Sequence, residues 1–312
     1  MALILATIIP VFALIAVGFL AGRLRLVAPE TTKGLADFTF TLAIPALLFR
    51  AMATAELPPV PPYLIWAGYF GAALSIWSLA TLATVFVLRR PAPDAAAIAM
   101  TATFGNVVML GLPLASKVLG PEAEGTIALI LSVHSPGLWA LAAIHLALAD
   151  RSAKRRLGDQ LLKVARDLAT NPIIVAIALG SLWRLTALGL DPIIDRTLAF
   201  LGQAAIPAAL VALGLSLVGF RVKGQAATLG LVLVLKLLLM PLTAWVICTA
   251  ILGLPPVAAG VITIFAAMPT GANAFLFATQ SGRAANSAGG AVALGTALSI
   301  TSASMVVWLV AR

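Results

Sequence analysis

The stretch Ala267-Met268-Pro269-Thr270-Gly271-Ala272-Asn273-Ala274-Phe275 interrupts a long apolar segment late in the chain. Apolar residues run from Pro256 to Phe265 and resume from Ala274 to Ala278. Together they are long enough for one membrane crossing of ~20 residues. Pro269 has no N–H, so the carbonyl of Phe265, four residues earlier, loses its helical partner. In hydrocarbon an unsatisfied backbone group costs several kcal/mol, so such a break survives only beside a cavity or another polar break. An earlier stretch, Phe104-Gly105-Asn106-Val107-Val108-Met109-Leu110-Gly111-Leu112-Pro113-Leu114, supplies the second break. Two interrupted helices at corresponding places in two halves of a chain mark a secondary-transporter binding site.

Composition agrees with a membrane setting. Hydrophobic residues make up 62% of the 312, charged residues 10%, and mean hydropathy is +1.09. That is the balance of an all-α polytopic membrane protein. Ten spans are expected, at about 3–22, 33–51, 63–88, 95–117, 124–149, 171–188, 193–218, 225–252, 256–280 and 286–311. Met1–Leu20 lacks the basic start of a signal peptide and reads as the first span. The single Cys248 excludes a disulfide framework, and no ligand cluster suggests a metal.

The net charge of +9 is not a nucleic-acid footprint, because the cations sort by loop. One side collects Arg23, Arg25, Lys33, Arg89, Arg90, Arg151, Lys154, Arg155, Arg156, Lys163, Arg166, Arg221, Lys223 and Arg283. The other has Arg50, Lys117, Arg184, Arg196 and Arg312. The positive-inside rule makes the first side cytoplasmic and puts both termini outside, on the periplasmic face of an inner membrane. Between Asp150 and Thr170, Leu157, Leu161, Val164 and Leu168 recur at helical spacing. This basic linker reads as an amphipathic helix on the bilayer surface or as a solvated connection.

The linker divides two sets of five spans, 1–149 and 171–312. Pro10, Ile15-Ala16, Gly18 and Leu20 reappear as Pro172, Ile177-Ala178, Gly180 and Leu182. Phe38 and Ala43-Ile44-Pro45-Ala46 reappear at the same offset as Phe200 and Ala205-Ile206-Pro207-Ala208. In the broken spans, Met100 and Asn106 align with Met268 and Asn273 across a one-residue gap. An odd number of spans per half makes this an inverted repeat, with broken helices four and nine crossing near the midplane. Their half-helix N-termini suit an anion, whereas bare carbonyls such as those of Phe265 and Met109 suit a cation.

Several of these stretches resemble the auxin efflux carrier family, which includes plant auxin exporters and bacterial carriers of malonate and related organic acids. They are Ala43-Ile44-Pro45-Ala46-Leu47-Leu48-Phe49, Asn106-x4-Gly111-x-Pro113-Leu114, the seventh span around Gln203-Ala204-Ala205, and Met268 to Phe275. Gln203 stands where plant members often have Asp, and Ala274 where they have proline, which favours the bacterial branch. The resemblance implies a ten-helix fold of the sodium/proton-antiporter and bile-acid-symporter type, a homodimer, and an elevator-like shift.

Candidate substrate-binding residues are Asn106, Gly111, Pro113, Pro269, Thr270, Gly271 and Asn273. An amide can donate to a carboxylate, or it can mend its own break. Lys236, deep in the eighth span, either neutralises carbonyl ends of the broken helices or balances a bound anion. His134 is either a coupling group or a hydrogen-bonded structural histidine, and Gln203 either borders the cavity or packs. Of the acids only Asp37 falls inside a span, which argues against cation/proton exchange and against acid–base hydrolysis. The expectation is a non-enzymatic, cofactor-free carrier of a small organic anion. The alternatives are a sodium-coupled symporter and a receptor that binds without transport.

Overall fold

The computed structural model describes residues 2–28, 30–54, 59–149, 162, 166, 169–219 and 226–310, with side chains from residue 9 onward. The linker and its amphipathic helix lie almost wholly outside the described residues, as do Met1, Arg312 and the 220–225 loop. The described chain is helical: α1 (Ala2–Arg23), α2 (Glu30–Thr54), α3 (Pro62–Val87), α4 (Ala92–Thr103), α5 (Val107–Leu119), α6 (Pro121–Ala149), α7 (Pro172–Leu185), α8 (Pro192–Leu217), α9 (Ala226–Ile251), α10 (Pro256–Ala267), α11 (Ala272–Ser281) and α12 (Ala285–Val310). Six of them, α2, α3, α6, α8, α9 and α12, are long and apolar enough to cross a membrane.

Three of these helices widen just ahead of a proline. The π turns Thr39–Ala43, Val107–Gly111 and Leu235–Leu239 each end two residues before a proline, at Pro45, Pro113 and Pro241. The residue just ahead of each proline bonds five residues back: Ile44 to Thr39, Leu112 to Val107 and Met240 to Leu235. A wide turn moves the helix past the carbonyl that proline cannot serve and would otherwise strike. Three helices thus absorb a proline without opening.

Two groups of helices follow from the packing. In the first, α1 runs along α8, and α2 packs on α7 and α8. In the second, α3, α4, α6, α9, α10, α11 and α12 surround the two breaks. Contact between the groups is narrower: α1 meets α5 and α12, α2 and α7 meet α6, and α8 meets the first turn of α5. Three ion pairs each lie within one group. Arg50 on α2 holds Asp195 on α8 through Nε–Oδ1 at 2.7 Å and Nη2–Oδ2 at 3.1 Å. In the other group Asp94, at the start of α4, is held by Arg90 at 2.9 Å and Arg283 at 3.5 Å. Asp37 lies within the candidate span α2 and is exposed, whereas Asp94, which the sequence reading did not single out, is buried. Its ion pairs offset the loss of water at a helix N-terminus, where a carboxylate is favoured.

The α1–α8 contact depends on missing side chains. A Cβ on Gly18 would strike the Val211 carbonyl, and one on Gly214 would strike the Ile15 carbonyl. Close approach of backbones is what small residues provide between membrane helices. Gly18→Val and Gly214→Val should each lower stability by about 2 kcal/mol or more, or block assembly. Detergent melting of the purified variants checks this; wild-type melting would mean the helices are not held that close.

Candidate functional site

The two breaks meet. Gly105 and Thr270 face each other as an isolated antiparallel bridge between the ends of α4 and α10. Asn106 N–H donates to the Pro269 carbonyl at 2.7 Å, and Gly271 N–H donates to the Phe104 carbonyl at 2.9 Å. Thr270, 1% exposed, donates its hydroxyl to the Thr101 carbonyl at 2.9 Å, the carbonyl that the end of α4 leaves without a helical partner. The Phe265 carbonyl, expected to be bare, accepts from Met268 N–H at 3.2 Å in a tightened last turn. Each break thus serves the other, as hydrocarbon demands.

Lys236 completes the carbonyl end of α10. It is buried, and its Nζ donates to the Ala266 carbonyl at 2.9 Å and lies 3.0 Å from the Met240 sulfur. The π turn Leu235–Leu239 carries it inward. Of the two sequence readings, the observed contact is the one to a carbonyl end.

The N-terminal ends differ from one another. Asn106 is the N-cap of α5, and its side-chain oxygen accepts from Met109 N–H at 3.3 Å. It is buried and mends its own break. Gly271 opens α11 and has no side chain to cap it, and Ala272 and Asn273 in that first turn are exposed. The N–H groups of Ala272 and Asn273 therefore need a partner from outside the helix, that of Ala274 being taken by the Gly271 carbonyl at 3.0 Å. The bridge pairs Asn106 with Pro269, and in position Asn106 corresponds to Gly271, the residue that opens the other half-helix. The two asparagines, aligned by sequence, are not equivalent in space.

The remaining candidates separate. Gly111 and Pro113 are buried in packing, and a Cβ on Gly111 would come within 3.0 Å of Met268 and 3.2 Å of Phe265. Pro269 is buried as well, with its carbonyl taken by Asn106. Gln203 is exposed on α8, outside the hydrogen bonds of the crossing. His134, 2% exposed, lies beside the break: its ring centroid is 4.5 Å from that of Phe104, and Nδ1 is 2.9 Å from the Tyr69 hydroxyl. The ring also interacts with the Gly105 backbone at the break. Sequence reasoning missed Tyr69, Thr101 and Met240. A helical threonine one turn before a break was the available signal for Thr101.

The asymmetry between the asparagines can be tested without a ligand. Asn106→Ala should cost about 1 kcal/mol of stability, the usual loss for a helix cap. Asn273→Ala should stay within about 0.5 kcal/mol of wild type, as exposed substitutions do. Apo-state melting compares them, and equal losses would contradict the geometry.

Residues 3–308 match the family described as "Membrane transport protein". The chain is 26% identical over 310 residues to a protein of Rhizobium meliloti (strain 1021) named "Putative malonate transporter", covering 99% of this chain and 97% of that one. It is also 26% identical over 251 residues to the "Lysosomal cholesterol signaling protein" of Mus musculus, covering 74% of this chain but only 28% of the mouse protein. These relatives fit a transport role and not an enzymatic one. With two broken helices joined at their breaks and a match running nearly end to end, this chain belongs to the membrane transport protein family, the auxin efflux carrier family that its motifs resemble.

Proposed function

We propose that the protein is a secondary active carrier of a small organic anion, a carboxylate, working by elevator-type alternating access. The observation that carries this reading is the open first turn of α11 at the crossing, with Asn273 exposed beside it. Free N–H groups at the positive end of a half-helix, next to an amide donor, suit a carboxylate. The printed name of the full-length bacterial relative points to malonate as the first substrate to try.

In this proposal the chain crosses an inner membrane ten times as two inverted repeats, 1–149 and 171–312, joined by a cytoplasmic linker at 150–170, and assembles as a homodimer. The halves of spans four and nine are α4 with α5 and α10 with α11. Support for the repeat comes from matched glycines: Gly18 of α1 meets the backbone of α8, and Gly180 of α7 meets the backbone of α2 at Phe49. Support for the elevator comes from the narrow contact between the helix groups and from three ion pairs that each lie within one group, while Arg50 on α2 and Glu124 on α6 attract one another across the boundary. The first group would be the fixed frame and the second the moving body that carries the crossing. The mouse relative's name favours a second reading, a sensor that binds without transport.

Radiolabelled malonate flux into reconstituted vesicles decides between them. Saturable uptake that competes with other short dicarboxylates is expected. Asn273→Ala should weaken affinity roughly ten- to a hundredfold, the loss of one hydrogen bond to a charged ligand at ~1.5–3 kcal/mol. A folded protein that binds malonate without moving it would favour the sensor, and one that ignores small carboxylates altogether would sink the anion reading.

Topology has its own check. Cysteines placed near Met1 and Arg312 should both react with an impermeant thiol reagent applied outside intact cells, because most loop cations lie on the other side. Protection of either end would contradict the inverted arrangement.

A further inference from the structure

The hydrogen bonds of the crossing supply its carbonyl ends by two different chemistries. Beside the end of α4, Thr101 receives a hydroxyl, that of Thr270. At the end of α10, Ala266 receives an ammonium, that of Lys236. The C-terminal end of a half-helix carries partial negative charge, and such ends with unwound carbonyls are where ion-coupled carriers hold their cation. We propose that the Lys236 ammonium is a tethered substitute for a coupling cation at the crossing, so that sodium has no site there and is not required for binding the anion.

This rests on the anion-carrier reading and names its coupling. Four observations carry it. Lys236 is 1% exposed and is held inward by the π turn before Pro241, so its charge cannot reach either surface of the bilayer. Its oxygen partner, the Ala266 carbonyl, is one that a free sodium ion could also contact, while the Met240 thioether beside it is not a ligand for a hard cation. A Cβ on Gly105 would lie 3.3 Å from both the Nζ and the Phe265 carbonyl, so the ammonium sits against the backbone of the other break as well. Finally, among the described residues the buried acid is Asp94, already held by Arg90 and Arg283, and no three His, Cys, Asp or Glu side chains gather as a metal site. The positive charge of Lys236 is thus balanced only by peptide dipoles and remains available to an arriving carboxylate. A bound sodium leaves with its substrate; a lysine stays and offers the same charge on each cycle.

The test is melting of purified, substrate-free protein in sodium chloride and in choline chloride of equal concentration. Wild type should melt within about 1 °C in the two salts. Lys236→Ala should melt lower in choline and recover by roughly 3 °C or more in sodium or methylammonium, either of which can occupy the vacated carbonyl end. Lys236→Met is the companion variant, because it keeps the length of the side chain while removing both the donor and the charge; it should assemble and acquire the same sodium response. Sodium-specific stabilisation of wild type overturns the proposal. So does a folded Lys236→Ala or Lys236→Met that melts alike in sodium and choline. Malonate flux is not read in these measurements, so a failed flux assay would count against the carrier reading alone and leave the cation result standing.

Discussion

Everything in this fold turns on four residues' worth of main chain that two helices cannot satisfy by themselves. The pairing of Phe104–Asn106 with Pro269–Gly271 supplies, through two short N–H···O bonds and the Thr270 hydroxyl, what each interrupted helix lacks. In water such groups would be hydrated at little cost; in a bilayer the pairing is a condition of existence. The same constraint selects the residue types. Gly105 and Gly271 allow backbones to approach, Pro269 ends one helix, and Lys236 meets the carbonyl that remains.

The presence of the breaks was legible in the sequence because proline, glycine and asparagine in an apolar run have few physical excuses. Their exact register was not. Aligning the asparagines made them equivalent, whereas the antiparallel bridge sets Asn106 opposite Pro269 and leaves Asn273 two residues into its helix. That register depends on which residues meet across more than 160 positions of chain, and local pattern carries no trace of it. The burial of Asp94 was hidden for a similar reason: one of its partners, Arg283, is 189 residues away. The Tyr69–His134 contact likewise joins α3 to α6 and follows from packing alone. Lys236 stood out at once, since a cation in the middle of an apolar run is costly anywhere but the protein interior.

The two helix groups differ in how they are held. The α1–α8 and α2–α7 contacts are backbone against backbone, made possible by Gly18, Gly214 and Gly180, and the Arg50–Asp195 pair fastens α2 to α8 at one end. The group around the breaks is held by buried hydrogen bonds at its centre and by the Arg90–Asp94–Arg283 cluster at one end. A close backbone seam resists sliding, and a central polar crossing fastened at one end by an ionic cluster resists coming apart. Each group is stiff for its own reason.

The π turns have a geometric consequence for α9. Its inward row, Thr228, Val232, Lys236, Met240, Ala244 and Cys248, advances by four residues at every step. In a regular α-helix of 3.6 residues per turn such a row drifts sideways by about 40° per step, roughly 200° over five steps, and would end on the opposite face. Each wide turn takes up about one extra residue, or about 100° of azimuth, and α9 contains two, Leu235–Leu239 and Ile247–Ile251. The first lies within the row and offsets about half of its drift, while the second begins only where the row ends, at Cys248. A regular helical wheel drawn through α9 would scatter this row around the circumference, while the molecule buries every member of it, with the lysine near its midpoint.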